Sequence, residues 1–120
     1  MRKLKEWPKD KKIIAVDFDG TITKKDNRFW TGRNSYVNDV MEPNLEIIES
    51  LKLNRNNIYL ILWSCRKGKA LRDAIKFCNT HELYFDAVNK NIVCYPSSRK
   101  IMADIYIDDK SCYLNWVQKL

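Results

Sequence analysis

The stretch "IIAVDFDGTIT", residues 13–23, places two acidic residues directly after a short apolar run. Ile13–Val16 has the length and the continuous apolar character of a parallel strand that is buried on both faces. Gly20 marks the end of this strand, because glycine accepts the backbone conformations that a tight turn requires. Asp17 and Asp19 are therefore predicted to stand at the carboxyl end of the first strand.

Strand and helix patterns alternate along the rest of the chain. Residues 57–64, "NIYLILWS", and residues 102–107 have the pattern of further buried strands, and "YFDAV" at 84–88 that of a weaker one. Apolar residues at helical spacing predict three helices. The first starts at Pro43 and Asn44, and the third at the cap residue Ser111. The residues predicted to face inward are Leu45, Ile48 and Leu51 in the first helix, Leu71, Ala74, Ile75 and Cys78 in the second, and Tyr113, Trp116, Val117 and Leu120 in the third. This alternation predicts an α/β fold, a Rossmann-like open parallel sheet flanked by helices on both faces.

Size and composition indicate one soluble domain. The chain has 120 residues, the usual size of a single domain, and no apolar run approaches the ~20 residues that a membrane span requires. The N-terminus has no apolar segment of the signal-peptide type, so the expected location is the cytoplasm. The cysteines, Cys65, Cys78, Cys94 and Cys112, form no CxxC pair, and we expect reduced thiols, several of them in the core.

The positive charge is concentrated at the N-terminus. The formal net charge is +7, and residues 1–12 hold six basic and two acidic residues, so they supply more than half of it. We therefore divide the chain into a basic N-terminal arm, residues 1–12, and a domain, residues 13–120. Such an arm is either a solvated tail or a contact for an anionic partner such as nucleic acid. The charge also suits small anionic substrates.

Polar residues follow three of the predicted strands. Asp17 and Asp19 follow the first strand, Ser64 the second, and Asp108 and Asp109 the last. Ligands of open parallel sheets bind beyond the carboxyl ends of the strands, so these groups are expected to converge on one site. Carboxylates gathered in this way repel one another, and a hard divalent cation relieves that repulsion. Mg²⁺ fits best, because it takes oxygen ligands and pairs one or two carboxylates with a substrate phosphate.

This pattern resembles the motifs of the haloacid dehalogenase superfamily. "DFDGT" at 17–21 is similar to the DxDxT motif that is typical of the phosphatases in that superfamily. Ser64 resembles the second motif, Lys100 the third, and Asp108–Asp109 the acidic fourth, in the order of the family. "LILWSCRKG", "FDAVNKN" and "RKIMADIYIDDK" are similar to a group of small phosphatase-like proteins of bacteria and phages. The domain at residues 13–120 is accordingly expected to be a hydrolase domain of this type.

The resemblance implies a magnesium-dependent phosphomonoester hydrolase and a role for each motif residue. Asp17 is the expected nucleophile, which forms an aspartyl-phosphate, and Asp19 is the expected general acid and base. Ser64 is expected to donate a hydrogen bond to the phosphoryl group, and Lys100 to neutralise its charge. The expected metal ligands are Asp17, the backbone carbonyl of Asp19, Asp108 and Asp109. The expected substrate-binding residues are Gly20, Thr21 and Arg66. Thr21 is also expected to orient the loop. Arg66 is either an exposed turn residue or a bidentate phosphate contact.

The sequence leaves the substrate open. Residues 22–42 and the other connections are too short for the cap domain that closes over the site in many members of the superfamily, so the expected site is open. A phosphorylated small molecule or a nucleic-acid end suits such a site, and no membrane partner is expected. A catalytically idle phosphate-binding or assembly module is an alternative function. A phosphoacceptor domain of the receiver type is another, but such domains carry their acidic pair in the first strand.

Several polar residues receive no catalytic role from the sequence. Asp104 stands at the start of the last predicted strand and is expected to be structural. Asn89 and Asn91 belong to the narrower resemblance without an assigned role. The aromatic and cationic segment at 28–33 is predicted either to cover a substrate or to pack on its own domain.

Overall fold

A four-stranded parallel sheet forms the centre of the molecule. The computed structural model of the chain describes residues 3–24, 41–94 and 100–108. Its elements are β1 (Lys12–Asp17), α1 (Leu45–Leu53), β2 (Ile58–Trp63), α2 (Gly68–Thr80), β3 (Ala87–Val88) and β4 (Ile105–Ile107). The strand order is β3-β2-β1-β4, and every pairing is parallel. The predicted open parallel sheet of an α/β domain is confirmed.

Both faces of the sheet are buried, as the apolar runs predicted. On one face, Ile14 and Val16 of β1 pack with buried residues of β2, α1 and α2. On the other face, Ile13 and Ala15 pack with Ile61 of β2. A strand covered on both faces has no polar side, which is why β1 shows no alternation of apolar and polar residues.

The two α-helices of the described residues, α1 and α2, lie on the same face of the sheet, whereas the sequence analysis expected helices on both faces. The chain passes from β1 to β2 to β3 in one direction across the sheet, and right-handed crossovers then place both connecting helices on one side. The return from β3 to β4 crosses the opposite face. In the described part of that return, Ile92, Val93, Ile101 and Ala103 cover the sheet without forming a helix.

The N-terminal arm lies against the domain. The backbone N–H of Leu4 donates to the carbonyl of Ile92 at 2.8 Å, and the N–H of Cys94 donates to the carbonyl of Leu4 at 2.9 Å. The Trp7 indole donates to a carboxylate oxygen of Asp104 at 3.0 Å. Leu4 and Trp7 are partly buried in the second face of the sheet, so the described part of the arm is no freely solvated tail.

β4 begins three residues later than the sequence predicted, because Asp104 takes the place of a strand residue. Its carboxylate accepts the N–H of Ile13 at 2.7 Å, and its own N–H donates to the Ile13 carbonyl at 2.8 Å. The side chain thus ends the ladder at the start of β1. The expectation that Asp104 is structural is confirmed.

The cysteines of the described residues are free thiols, as expected. Cys65 and Cys94 are exposed, and Cys78 is buried in α2. Burial raises the pKa of the Cys78 thiol to about 12, since the apolar core disfavours the thiolate. Cys78 is therefore a core residue.

Parts of the sequence analysis fall outside the described residues. These are Cys112, the predicted helix from Ser111 to Leu120, and the segment at 28–33. Within residues 3–24, 41–94 and 100–108, no helix has the length and apolar character needed to cross a membrane.

Candidate active site

The carboxyl edge of the sheet brings together three of the residues chosen from the sequence. Asp17 ends β1 and is the register partner of Trp63, the last residue of β2, so Ser64 follows on the adjoining strand. Ile107 at the end of β4 pairs with Val16, so Asp108 lies beside Asp17 on the other side. Asp17 thus stands between Ser64 and Asp108 at the carboxyl ends of three neighbouring strands.

The loop after β1 is held by Thr23. Gly20 adopts a positive φ of 80°, a conformation that glycine takes without the cost of a side chain. The Gly20 N–H donates to the Thr23 hydroxyl at 3.1 Å, and the Thr23 N–H donates to the Phe18 carbonyl at 3.1 Å. Thr23 is fully buried. Thr23 therefore holds the loop, a contribution that the sequence analysis expected of Thr21 and did not assign to Thr23.

Thr21 is buried in the same loop. The residue is 4% exposed, and its Oγ1 has no hydrogen-bond partner within the described residues. A buried hydroxyl without a partner costs free energy, so the Thr21 hydroxyl itself does not stabilise the loop.

Asp19 is held by Arg66 in a bidentate ion pair. Arg66 Nη2 donates to Asp19 Oδ1 at 2.7 Å, and Nε donates to Oδ2 at 2.9 Å. The Arg66 side chain is completely buried and the Asp19 side chain is 15% exposed. The guanidinium also donates to the Ala70 carbonyl at 3.3 Å and lies 4.9 Å above the ring of Phe18.

The burial of Arg66 corrects the sequence analysis, which described it as an exposed turn residue or a phosphate contact. The Nε and Nη2 groups of Arg66 both donate to Asp19, so this pair of donors does not face a phosphate in this structure. The fixed fork of a guanidinium matches a carboxylate well. Arg66 thus sets the orientation of the Asp19 carboxylate.

Ser64 is fixed from both sides. Its N–H donates to Oδ1 of Asn89 at 2.8 Å, and its hydroxyl accepts the N–H of Arg66 at 3.1 Å. A hydroxyl has one donor and two acceptor positions, so that acceptance leaves the O–H of Ser64 able to donate. Asn89 itself adopts a positive φ of 53°, which asparagine tolerates better than most residues.

Two lysines, Lys90 and Lys100, lie next to asparagine residues of the segment that follows β3. Lys100 precedes β4 in the chain, and its carbonyl accepts a hydrogen bond of 2.9 Å from the buried Asn91 amide. The same amide accepts the Met102 N–H at 2.7 Å, so Asn91 positions the segment that carries Lys100. Lys90 follows β3 and is the next residue after Asn89, the side chain that contacts Ser64.

The acidic residues at this edge fit a magnesium ion held by few protein ligands. Within the described ranges, no group of three or more His, Cys, Asp or Glu residues is placed to hold a metal. Asp17 and Asp108 end neighbouring strands, whereas the Asp19 carboxylate is bound to Arg66. Asp109 lies outside the described residues. Mg²⁺ is commonly bound by one or two carboxylates, waters and substrate phosphate, so the Asp17–Asp108 pair suits it.

The chain resembles one solved bacterial structure over most of its length. No family model and no curated protein matches the sequence. A conserved protein from Bacteroides thetaiotaomicron shares 33% of its sequence, with a TM-score of 0.67 over 91% of this chain and 88% of that chain. The cobalt-bound deoxy-D-mannose-octulosonate 8-phosphate phosphatase from Haemophilus influenzae is 16% identical, with a TM-score of 0.44 over 66% of this chain and 42% of that chain. The second likeness is too distant to support an argument about function.

Proposed function

The chain belongs to the family of the conserved Bacteroides thetaiotaomicron protein, and we propose that it is a magnesium-dependent phosphomonoester hydrolase. The observation that carries this proposal is the carboxyl edge of the sheet, where Asp17 stands between Ser64 and Asp108 and is followed by Asp19 on a tightly held loop. A nucleophile, a proton carrier and phosphate-binding groups are then within one small region. The resemblance of "DFDGT" to the phosphatase motif supports the same function.

In the first step, a carboxylate oxygen of Asp17 attacks phosphorus. The bond between phosphorus and the ester oxygen breaks, and an aspartyl-phosphate forms on Asp17. Asp19 gives its proton to the departing alcohol and becomes a carboxylate. The bidentate contact with Arg66 binds this ionised form, so Arg66 stabilises the state that proton donation produces.

In the second step, water attacks the phosphorus of the aspartyl-phosphate. Asp19 takes a proton from this water, the bond between phosphorus and the Asp17 oxygen breaks, and inorganic phosphate leaves. Asp19 ends the cycle protonated, as it began, and Asp17 ends it as a carboxylate. The proton leaves Asp19 in the first step and returns to it in the second, and the contact with Arg66 holds the ionised form between the two steps.

The remaining groups stabilise the charge on the phosphoryl oxygens. Ser64 donates its O–H, which its contact with the Arg66 N–H leaves available. Asp17 and Asp108, with the expected ligands Asp109 and the Asp19 carbonyl, would hold Mg²⁺, which would supply positive charge near these oxygens. A lysine supplies a second positive charge. Positioning and charge of this kind account for most of the catalysis of phosphoryl transfer.

Phosphate release from a panel of phosphomonoesters tests the proposed function. The panel contains sugar phosphates, nucleoside monophosphates, an aryl phosphate and an oligonucleotide with a terminal phosphate, each assayed with magnesium and with a chelator. We expect release from at least one of these that requires the metal. Purified protein that releases no phosphate from any of them, with magnesium present, contradicts the proposal.

Replacing Asp108 with asparagine is expected to raise the magnesium concentration for half-maximal activity at least about tenfold, because the change removes one of the expected carboxylate ligands. Calorimetric titration with magnesium should show the same weakening without substrate. Asp10→Asn, which removes an exposed acidic residue of the arm, is the matched control and should leave both titrations unchanged. Equal titrations for wild type and Asp108→Asn contradict the metal assignment.

The two lysines are distinguished by alanine substitution. The resemblance assigns the second positive charge to Lys100. Lys90, which follows the Asn89 that contacts Ser64, is the lysine for comparison. We expect Lys100→Ala to lower kcat about a hundredfold, a loss typical of one charge-stabilising donor, and Lys90→Ala to lower it much less. Steady-state kinetics on one substrate checks both. A larger loss for Lys90→Ala than for Lys100→Ala contradicts the assignment to Lys100.

A further inference from the structure

Trp63 departs from the burial pattern of its strand. The apolar residues Ile58, Leu60, Ile61 and Leu62 of β2 are buried, whereas Trp63 at the carboxyl end of that strand is 39% exposed. Its register partner on β1 is Asp17, the proposed nucleophile. A large planar side chain therefore stands next to the point where the phosphoryl group is transferred.

A second aromatic residue supports Trp63. The rings of Trp63 and Tyr106 meet edge to face, with centroids 5.9 Å apart and planes at 70°. Tyr106 is the register partner of Ala15, so the two rings approach each other across β1. Ala15 has a small side chain, and Asp17 two residues later lies on the same face of the strand. The aromatic pair therefore borders the face on which Asp17 lies.

The Tyr106 ring is fixed by its hydroxyl. The Tyr106 O–H donates to the Ile101 carbonyl at 2.6 Å and accepts the Ala103 N–H at 3.1 Å. Both contacts are with the chain segment that precedes β4. The contact with an anchored ring restricts Trp63 in turn, and a surface that is ordered before binding loses less entropy when a ligand arrives.

We infer that Trp63 and Tyr106 form an aromatic wall that receives a planar ring on the alcohol portion of the substrate. This inference rests on the proposed function, because it takes Asp17 as the position of phosphorus. It names the substrate class: a phosphomonoester whose alcohol carries a planar ring, of which a nucleoside monophosphate is the common example. Stacking of a base on an aromatic side chain contributes enough binding free energy for about a tenfold gain in affinity or more.

Binding to the Asp17→Asn variant tests the aromatic wall independently of turnover. Calorimetry gives the affinities for adenosine 5′-monophosphate, ribose 5-phosphate and phenyl phosphate. The ribose phosphate has the same reacting alcohol as the nucleotide but no planar ring. We expect the nucleotide to bind about tenfold more tightly than ribose 5-phosphate. If only the nucleotide binds more tightly than ribose 5-phosphate, the wall is specific for a nucleobase. If phenyl phosphate also binds more tightly, the wall accepts any planar ring. Either result supports the inference.

Substitution of Trp63 tests whether this side chain causes the preference for the nucleotide. Trp63→Leu, added to the Asp17→Asn variant, should remove the preference for the nucleotide over ribose 5-phosphate. Trp63→Phe in the same variant should keep most of that preference. Tyr84→Leu is the matched control, because Tyr84 is 57% exposed and precedes β3 at the other end of the sheet. A preference that survives Trp63→Leu, or no preference at all, overturns the inference. Failure of the wild type to release phosphate refutes the proposed hydrolase instead, since these affinities require no turnover.

Discussion

Replacing Asp17 with asparagine is expected to lower phosphomonoester turnover by roughly a thousandfold or more, because a neutral amide cannot attack phosphorus. The fold should persist, since asparagine has nearly the same shape and Asp17 lies at the partly exposed end of β1. Initial rates of phosphate release give the turnover, and circular dichroism with thermal unfolding checks the fold.

The matched control for this variant is Asp104→Asn, which changes a carboxylate at the opposite end of the same strand pair. Asp104 binds the Ile13 N–H and the Trp7 indole, so its loss should lower stability by about 1–3 kcal/mol without removing the reacting group. Turnover of the folded control should remain close to wild type. Asp17→Asn activity within about tenfold of wild type, in a preparation free of other phosphatases, contradicts the assignment of the nucleophile.

Replacing Arg66 with methionine is expected to lower the free energy of unfolding by about 3–5 kcal/mol, the range for breaking one side of a buried ion pair. The change leaves the mostly buried Asp19 carboxylate without its two guanidinium donors. It also removes the bond to the Ala70 carbonyl and the contact with the Phe18 ring. Urea unfolding of the variant gives this change in free energy directly.

A double-mutant cycle separates the ion pair from the packing of Arg66. Asp19→Asn combined with Arg66→Met should be more stable than Arg66→Met alone, since no charged group then stays buried without a partner. Lys69→Met is the matched control. Lys69 and Asp73 are also 2.7 Å apart, but the Lys69 side chain is 67% exposed and that of Asp73 35%, so the cost should stay below about 1 kcal/mol. Similar costs for Arg66→Met and Lys69→Met contradict the structural importance of the buried pair.

The sequence predicts the sheet better than it predicts what covers the sheet. β1 is apolar from Ile13 to Val16 and β2 from Ile58 to Trp63, and such runs identify strands buried on both faces. β4 is shorter than predicted because the Asp104 side chain, rather than a strand carbonyl, accepts the Ile13 N–H. A single aspartate in the sequence gives no sign of that hydrogen bond. The placement of α1 and α2 on one face follows from the strand order, which the sequence does not contain.

The candidate site was predictable where it depends on strand ends. Asp17, Ser64 and Asp108 each follow a recognisable strand, so their meeting at one edge follows from parallel pairing. The pairing of Arg66 with Asp19 spans 47 positions of sequence, and nothing in the local pattern around Arg66 indicates its burial.

The roles of Thr23 and Asn89 differ in how far the sequence predicts them. Thr21 and Thr23 are both small polar residues of one turn, and only the backbone geometry shows that Thr23 holds the loop. Asn89 offered a usable signal, because an asparagine directly after a strand is common where the backbone turns to positive φ.

Trapping of the phosphorylated protein tests the central claim, hydrolysis through Asp17, most directly. The Asp19→Asn variant is mixed with an aryl phosphate, whose leaving group departs without a proton donor, while the second step lacks its base. We predict a burst of one phenolate per protein, followed by slow turnover, and mass spectrometry of an acid-quenched digest should find the phosphate on Asp17. Steady turnover without a burst, or phosphate on another residue, contradicts the account.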